Sequence, residues 1–461
     1  MRPWVFLLLF LVSCAKSKCP IESPPCPLEW KEESAQEICS LTRETFSAFE
    51  DEVLDNLIEQ AITHNKTIDI AFFNLLEAKE RVGVALGPLF PNVIFDPEMS
   101  KREGQLNTQG FLMLPGNNEP IRAVTSNYRL SLSMIYEPDF FGKYRSAYMS
   151  AVYNQRARFA GYRQALLLVA ADTAQNYFTI RAFDAELDVL LQNIETLTIA
   201  YEINKARYEG GLITYVDVAR AESELAIVQS DYENIKRRRR LIENGLAVLL
   251  GENPSLYSFA KFPLIEEIPL VITPIPCALL SRRPDMKERA EEVRRASEDV
   301  GVAFGDLFPS ITLAGSIGYE SFSASHLLDW KARFWSYVIG LTQTVFDAGS
   351  KASEVEARRA RLFSALANYY QQALIAFREV ADALSEIRLR RNEKVYLVEA
   401  VRAAKLTLEL TNQRYLRGLI SYFDVVDAQR TYLNTSRSLV IVQGLEHIAS
   451  VSLIRALGGG Y

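Results

Sequence analysis

Hydrophobic and polar positions follow different periods in successive stretches of this 461-residue chain. Residues 1–13 hold one basic residue, Arg2, and then an apolar run from Trp4 to Val12, the pattern of a secretory signal. Residues from about 42 to 87 and from 285 to 306 read as helix. A period of two follows each of them. Tyr128, Leu130, Leu132, Met134 and Tyr136 alternate with polar residues. Ile311, Leu313, Ile317 and Tyr319 do the same, and Trp335, Tyr337, Ile339 and Leu341 continue the pattern. The alternation predicts two strands of roughly ten residues in each place, within about 92–138 and 310–346, each with one greasy face and one small, polar face. Strands of this length and alternation suit a membrane β-barrel, with aromatics near the strand ends. A two-stranded hairpin lying on a soluble core would show a similar pattern.

The longest stretches have no strand character. No proline lies between Pro138 and Pro254, and none follows Pro309. Proline breaks helix interiors, so these stretches are free to hold very long helices. Residues 144–207 and 350–414, at 1.5 Å per residue, would each extend on the order of 95–100 Å. Such helices must pack along their length as coiled coils do, and their frequent alanines (Ala165, Ala170, Ala171 and Ala174; Ala352, Ala357, Ala360, Ala365 and Ala367) permit close approach. Gly210-Gly211 and Gly418 are stop signals, while Thr214-Tyr-Val-Asp217 and Ser421-Tyr-Phe-Asp424 are restart signals of the capping-box kind. Each long helix therefore turns into a second one at a tip around 208–217 or 415–424.

An internal repeat accounts for this doubling. Gly83-Val-Ala-Leu-Gly-Pro-Leu-Phe-Pro91 returns as Gly301-Val-Ala-Phe-Gly-Asp-Leu-Phe-Pro309, an offset of 218. Arg207-Tyr-Glu-Gly-Gly-Leu-Ile-Thr-Tyr-Val-Asp-Val218 returns as Arg414-Tyr-Leu-Arg-Gly-Leu-Ile-Ser-Tyr-Phe-Asp-Val425, an offset of 207. The first copy thus carries an 11-residue excess between its motifs, expected near 99–127 as a longer loop. The expected organisation is a signal over 1–13, a tether over 14–40, a first repeat over 41–252, a proline-rich linker over 253–284 and a second repeat over 285–461.

Composition narrows the function. A net charge of −6 argues against a nucleic-acid partner. Only three histidines, His64, His326 and His447, are present, far apart, and nothing resembles a phosphate loop, a nucleophile elbow or a metal-spaced cluster. The sequence points to no enzyme, no metal and no cofactor. Leu11-Val12-Ser13-Cys14 resembles the lipobox of bacterial lipoproteins, whose cysteine becomes the acylated N-terminus, so Cys14 is the expected lipidation site. Cys19, Cys26, Cys39 and Cys277 are left for one or two disulfides in an oxidising compartment. Lys236-Arg-Arg-Arg-Arg240 has the look of a basic binding patch for adaptor or lipid, yet reads first as a solvated, partly paired helix face, with Glu233 and Glu243 at helical spacing from Arg237 and Arg239. Four strands cannot close a barrel, and open edges are not tolerated in lipid, so the strands must be pooled between copies. A hollow barrel continued by long packed helices is a conduit.

The repeat, the Phe-Pro turns, Arg282-Arg-Pro-Asp285 and the terminal Ala456-Leu-Gly-Gly-Gly-Tyr461 together resemble the outer-membrane efflux lipoproteins of the TolC/OprM type over essentially the whole mature chain. The resemblance implies an α+β membrane protein: a homotrimer with a twelve-stranded β-barrel, four strands per chain, continued by a periplasmic α-helical barrel. It implies a lipid-anchored, passive duct in the outer membrane, docked to a periplasmic adaptor and an inner-membrane pump of the RND type. It also implies site residues. Asp424 and Asp427 match an acidic constriction, Phe423 an apolar gate position and Arg414 a basic residue near the gate. Tyr415 and Asp217 match a locking pair between helices, whereas Ile420 stands where some members carry a second locking arginine. Threefold symmetry would gather six carboxylates at the second tip. Asp217 and Asp424 also suit helix capping alone, and Tyr415 and Phe423 suit simple packing. A coiled-coil lipoprotein without channel activity is the alternative from another class.

Overall fold

The computed structural model describes Phe46 and residues 49–105, 122–263 and 280–459. The signal, Cys14, Cys19, Cys26, Cys39 and Cys277 lie outside the described residues, as does the connection at 106–121. Helices α1 (Glu52–His64) and α2 (Lys66–Leu86) lead into strands β1 (Asn92–Gln105) and β2 (Arg122–Tyr136). Helices α3 (Lys143–Glu209) and α4 (Tyr215–Leu249) follow. The order then repeats as α5 (Pro284–Gly305), β3 (Ser310–Ser321), β4 (Arg333–Thr342), α6 (Ser350–Leu416) and α7 (Tyr422–Ala456). The repetition is close: α3 and α6 have 67 residues each, and α4 and α7 have 35 each.

Two local findings differ from the sequence reading. The helical stretch expected over 42–87 is two helices, because Asn65 leaves helical geometry with ψ 125°. Its Oδ1 accepts from the Thr67 amide at 2.8 Å and its Nδ2 donates to the Leu249 carbonyl at 2.8 Å. One side chain thus starts α2 and ties it to the end of α4. The first hairpin also has strands of 14 and 15 residues, against 12 and 10 in the second. Part of the 11-residue excess therefore lies in strand length as well as in the connecting loop.

The chain forms two compact units, each drawing on both repeats. One holds Leu76–Arg156 and Ala290–Ala367. Its sheet is antiparallel with the order β1-β2-β3-β4, leaving β1 and β4 as edges. Cross-strand register sorts the side chains by face. Phe95, Leu132, Ile317 and Trp335 share one row, and Val93, Met134, Gly315 and Tyr337 the next. These large apolar residues are exposed. The opposite face carries Ser133, Ser316 and Ser336 in one row, with Ser316 and Ser336 hydroxyls 2.6 Å apart. Gly318 is needed on this face, since a Cβ there would lie 2.1 Å from the Leu130 carbonyl oxygen. At the root of the sheet Phe141 and Phe308, the latter from the second Phe-Pro turn, stack at 4.6 Å, and Lys143 pairs with Asp306 at 2.6 Å.

The other unit holds Ala157–Arg289 and Asn368–Tyr461 with the described residues up to Leu75. Its core gathers Leu54, Leu57, Ala170, Ala171, Ala174, Phe178, Leu246 and Val451, so α1 packs on α3, α4 and α7. Small residues set the approach, as the alanine-rich pattern predicts: a Cβ on Gly444 would meet the Ala182 Cβ at 2.4 Å. Helix α7 is long and apolar enough to cross a bilayer by composition, which the sequence reading did not single out. Its apolar residues Val425, Val426, Leu433, Val442, Leu453 and Ile454 are instead buried within the unit. His447 is buried on the same helix against Phe178, with ring centres 4.9 Å apart, and burial pushes its imidazole below the ordinary value.

Candidate functional site

Both tips are built by local hydrogen bonding that the sequence dictates. At the first, the Gly210 amide donates to Ala206 at 3.0 Å and the Leu212 amide to Arg207 at 2.8 Å, while Gly211 takes φ +72°. At the second, the Gly418 amide donates to Tyr415 at 2.9 Å, the Leu419 amide to Arg414 at 3.0 Å, and Gly418 takes φ +70°. Left-handed glycines close both long helices, a conformation that costs other residues a Cβ clash. Each second helix then restarts at a hydroxyl residue. Asp424 Oδ2 accepts from the Ser421 amide at 3.0 Å and from the Ser421 hydroxyl at 2.9 Å. Asp217 holds a weaker version, accepting from the Thr214 hydroxyl at 3.5 Å. Both aspartates therefore act as caps, and Asp424 is the tighter one.

The sequence-predicted site residues are brought together at the second tip, with one exception. Phe423, Asp424 and Asp427 are exposed on the first turns of α7, and Arg414 is exposed at the end of α6. Asp427 is not a cap: its carboxylate faces the neighbourhood of Arg430, whose guanidinium is held above its ordinary value mainly by Glu224. Among the described residues of one chain, no hydrogen bond joins Tyr415 to Asp217, the pair expected to lock. The Tyr415 hydroxyl donates instead to Asn204 Oδ1 at 2.7 Å, and the Arg207 guanidinium lies 5.0 Å from the Tyr415 ring centre. Asn204 is buried on α3, so it presents a fixed acceptor where Asp217, at the tip, spends its carboxylate on the cap.

Several tip contacts were not anticipated. Arg220 of α4 lies 5.4 Å from the ring centre of Phe423. Arg430 of α7 chelates Glu224 of α4 through Nε at 2.8 Å and a second nitrogen. Seven residues further along both helices, Arg437 Nη1 meets Asp231 at 2.8 Å, and its Nε reaches Glu186 of α3 at 3.0 Å. The heptad spacing of Glu224 with Asp231 and of Arg430 with Arg437 is visible in the sequence and marks α4 and α7 as neighbours along a seam. Above them the basic run at 236–240 is partly internal: Arg239 turns inward to Asp184 at 2.5 Å and Glu243 at 3.3 Å. Lys236 takes Glu233 at 3.2 Å, leaving Arg237 to Asn234 at 3.0 Å, so the expected Glu233–Arg237 pair is replaced.

The tyrosines differ between the tips. Tyr415 and Tyr422 sit 5.5 Å apart and pack with Ala221, Val425, Val426 and Tyr201. Tyr422 is 3% exposed, and burial first, then the nearby Tyr415 and Glu224, pushes its hydroxyl up to about 12. Their repeat counterparts Tyr208 and Tyr215 sit 5.4 Å apart but are 44% and 58% exposed.

Known proteins share this architecture. Residues 57–252 and 275–459 match the outer membrane efflux protein family. The outer membrane protein OprJ of Pseudomonas aeruginosa is 27% identical over 99% of this chain and 95% of its own length. The cation efflux system protein CusC of Escherichia coli K12 is 25% identical over 89% of this chain and 88% of its own. The solved structure of the outer-membrane channel OprN superposes with a TM-score of 0.84 at 25% identity, covering 96% of this chain and 99% of that one. The match spans both repeats, with the sheet and the paired helices in each, and so the chain belongs to the outer membrane efflux protein family as an efflux channel component of the outer membrane.

Proposed function

We propose that three copies of the chain pool their sheets into one closed barrel, and that their helical units form a periplasmic duct whose narrow end is the second tip. The observation that carries this reading is the sheet. It has four strands, two open edges and an exposed apolar face, and lipid tolerates no unpaired strand edge. Joining β1 of one copy to β4 of the next removes both edges. The serine-rich face then lines the lumen and the Phe95–Leu132–Ile317–Trp335 row meets acyl chains. Acylation at Cys14 supplies a second hold on the membrane. A duct has no energy source of its own, so a periplasmic adaptor and an inner-membrane pump complete the pathway, and this chain is the passive, gated end of it.

In that assembly Asp427 is the gate acid best placed to act on cargo, because its carboxylate is exposed and free of capping duty. Asp424 adds charge while holding the tip in shape, Phe423 narrows the opening, and Arg414 stands beside it. Six carboxylates in a ring favour cations and resist anions. Recording single channels in planar bilayers tests the reading: Asp424→Ala with Asp427→Ala raises conductance and weakens cation preference. Unchanged conductance would remove both residues from the gate.

A further inference from the structure

The two edge strands of the sheet end differently from the two central ones. On the exposed apolar face each strand contributes every second residue. At the strand ends away from the Phe-Pro turns, the β2 and β3 columns run out in an aromatic and then a hydroxyl, Tyr128 to Ser126 and Tyr319 to Ser321. The β1 and β4 columns run out in a cation instead: Met99 is followed by Lys101, and Trp335 by Arg333. Both cations are exposed and have no ion pair among the described residues. The acids beside them are already engaged. Asp329 Oδ2 accepts from His326 Nδ1 at 2.9 Å, and Glu103, next in the β1 column, has a partner of its own. Arg333 is also held in place. The Ala332 amide donates to the Asp329 carbonyl at 2.9 Å, and the turn so made sets Trp330 with its ring centre 4.0 Å from the Arg333 guanidinium. Stacking covers the face of the guanidinium and leaves its N–H edge free.

Arg333 shares a row with Tyr319, Leu130 and Pro97, so Lys101 lies four residues further along β1. Four residues rise about 14 Å, and three gaps between strands also measure about 14 Å. The boundary of the apolar face therefore crosses the strands at about 45°, which matches the tilt of roughly 35–45° in membrane barrels. With the strands tilted so, Lys101 and Arg333 stand at one height, on the outer rim of the apolar band. Joining β1 of one copy to β4 of the next then sets these two cations side by side, at the border of a low-dielectric medium where like charges repel strongly. We propose that each joint of the barrel binds a lipid with a phosphate-bearing headgroup, held between Arg333 of one copy and Lys101 of the next. The inference rests on the assembly proposed above. Phosphate oxygens suit the free edge of an arginine and the point charge of a lysine. A lipid fits better than free phosphate because the apolar column continues directly below the cations, with Trp335 and Tyr337 stacked at 6.0 Å and both exposed.

Native mass spectrometry of the full-length, detergent-extracted protein incubated with phosphatidic acid tests this, with sizing in parallel. The wild-type trimer is expected to retain one phosphatidic acid per joint and to retain phosphatidylcholine several-fold less. Lys101→Gln/Arg333→Gln, which alters only exposed side chains, is expected to lose the bound phosphatidic acid, and Arg333→Gln alone to lose most of it. Excess inorganic phosphate leaves the wild-type lipid in place. A wild-type trimer that holds both lipids equally, or variant trimers that hold phosphatidic acid as wild type does, overturn the inference and leave the channel reading intact. Displacement of the lipid by inorganic phosphate assigns the cations to free phosphate and overturns the lipid. A chain that sizes as a monomer overturns the assembly itself.

Discussion

The two helix tips share a sequence pattern, a glycine stop, a capping aspartate and a tyrosine pair, and they differ in where those tyrosines go. Tyr422 is buried against α4 and Tyr415 is anchored to Asn204, whereas Tyr208 and Tyr215 lie in the open. The internal repeat makes the tips alike, and only the second has its tyrosine pair seated within the chain. Local sequence builds the turn in both places. What the turn packs on is decided by residues far away, such as Asn204 and Ala221, that no tip motif contains.

The largest expected break in this comparison is Tyr422→Ala against Tyr215→Ala. Truncating a buried aromatic costs about 3–5 kcal/mol, because transfer free energy is lost and a cavity remains. Local opening of the second tip would then rise by a factor of roughly 100 or more. Trypsin cutting at Arg414 or Arg417, followed by mass spectrometry, reads that opening. Tyr215→Ala in the dissociated chain leaves the cutting rate near wild type, since little apolar surface is uncovered. Similar rates for the two variants would erase the distinction between the tips.

Alkaline pH tests the same burial without mutation. The Tyr422 hydroxyl is pushed up to about 12 in the fold, mainly by burial. An unfolded tyrosine ionises near 10, so between about pH 10 and pH 12 the unfolded state loses its proton first. The second tip's stability is therefore complete below pH 10 and falls as pH rises through that window. Ultraviolet titration of tyrosinate should show late ionisation near pH 12 that Tyr422→Phe reduces without abolishing, because burial also pushes the Tyr257 hydroxyl up to about 12.

How much of this was legible beforehand divides along the same line. Period-two alternation located β2, β3 and β4 but not β1, whose run Asn92–Gln105 does not alternate, and proline-free stretches located α3 and α6, because these signals are local. The capping roles of Asp217 and Asp424 followed from their spacing to Thr214 and Ser421. The partner of Tyr415 did not, because Asn204 is 211 positions away in sequence and a buried amide on a long polar helix carries no pattern. The ladder lay between these cases. Its heptad spacing was present in the sequence, yet only the packing of α4 on α7 shows which acid meets which arginine.

That ladder supplies an intermediate effect. Glu224 is buried while Arg430 is half exposed, so solvent screens part of the attraction and Glu224→Gln costs on the order of 1 kcal/mol. Glu224→Gln should speed trypsin cutting at the second tip several-fold.

The smallest expected difference separates the two caps. Asp424 accepts from both the amide and the hydroxyl of Ser421, at 3.0 and 2.9 Å, while Asp217 has one long contact of 3.5 Å with Thr214. Losing a capping-box acid costs about 0.5–1 kcal/mol, and a marginal contact costs a few tenths. Asp424→Ala should therefore raise amide exchange in the first turn of α7 by a few-fold, and Asp217→Ala should raise that of α4 by less. Asp427→Ala should change exchange at neither tip, because its carboxylate caps nothing. This separation also decides what a conductance change means. If Asp427→Ala alone accounts for most of the gain seen in the double variant, the gate works through charge. If Asp424→Ala accounts for it together with faster exchange, the gate opened because its helix frayed.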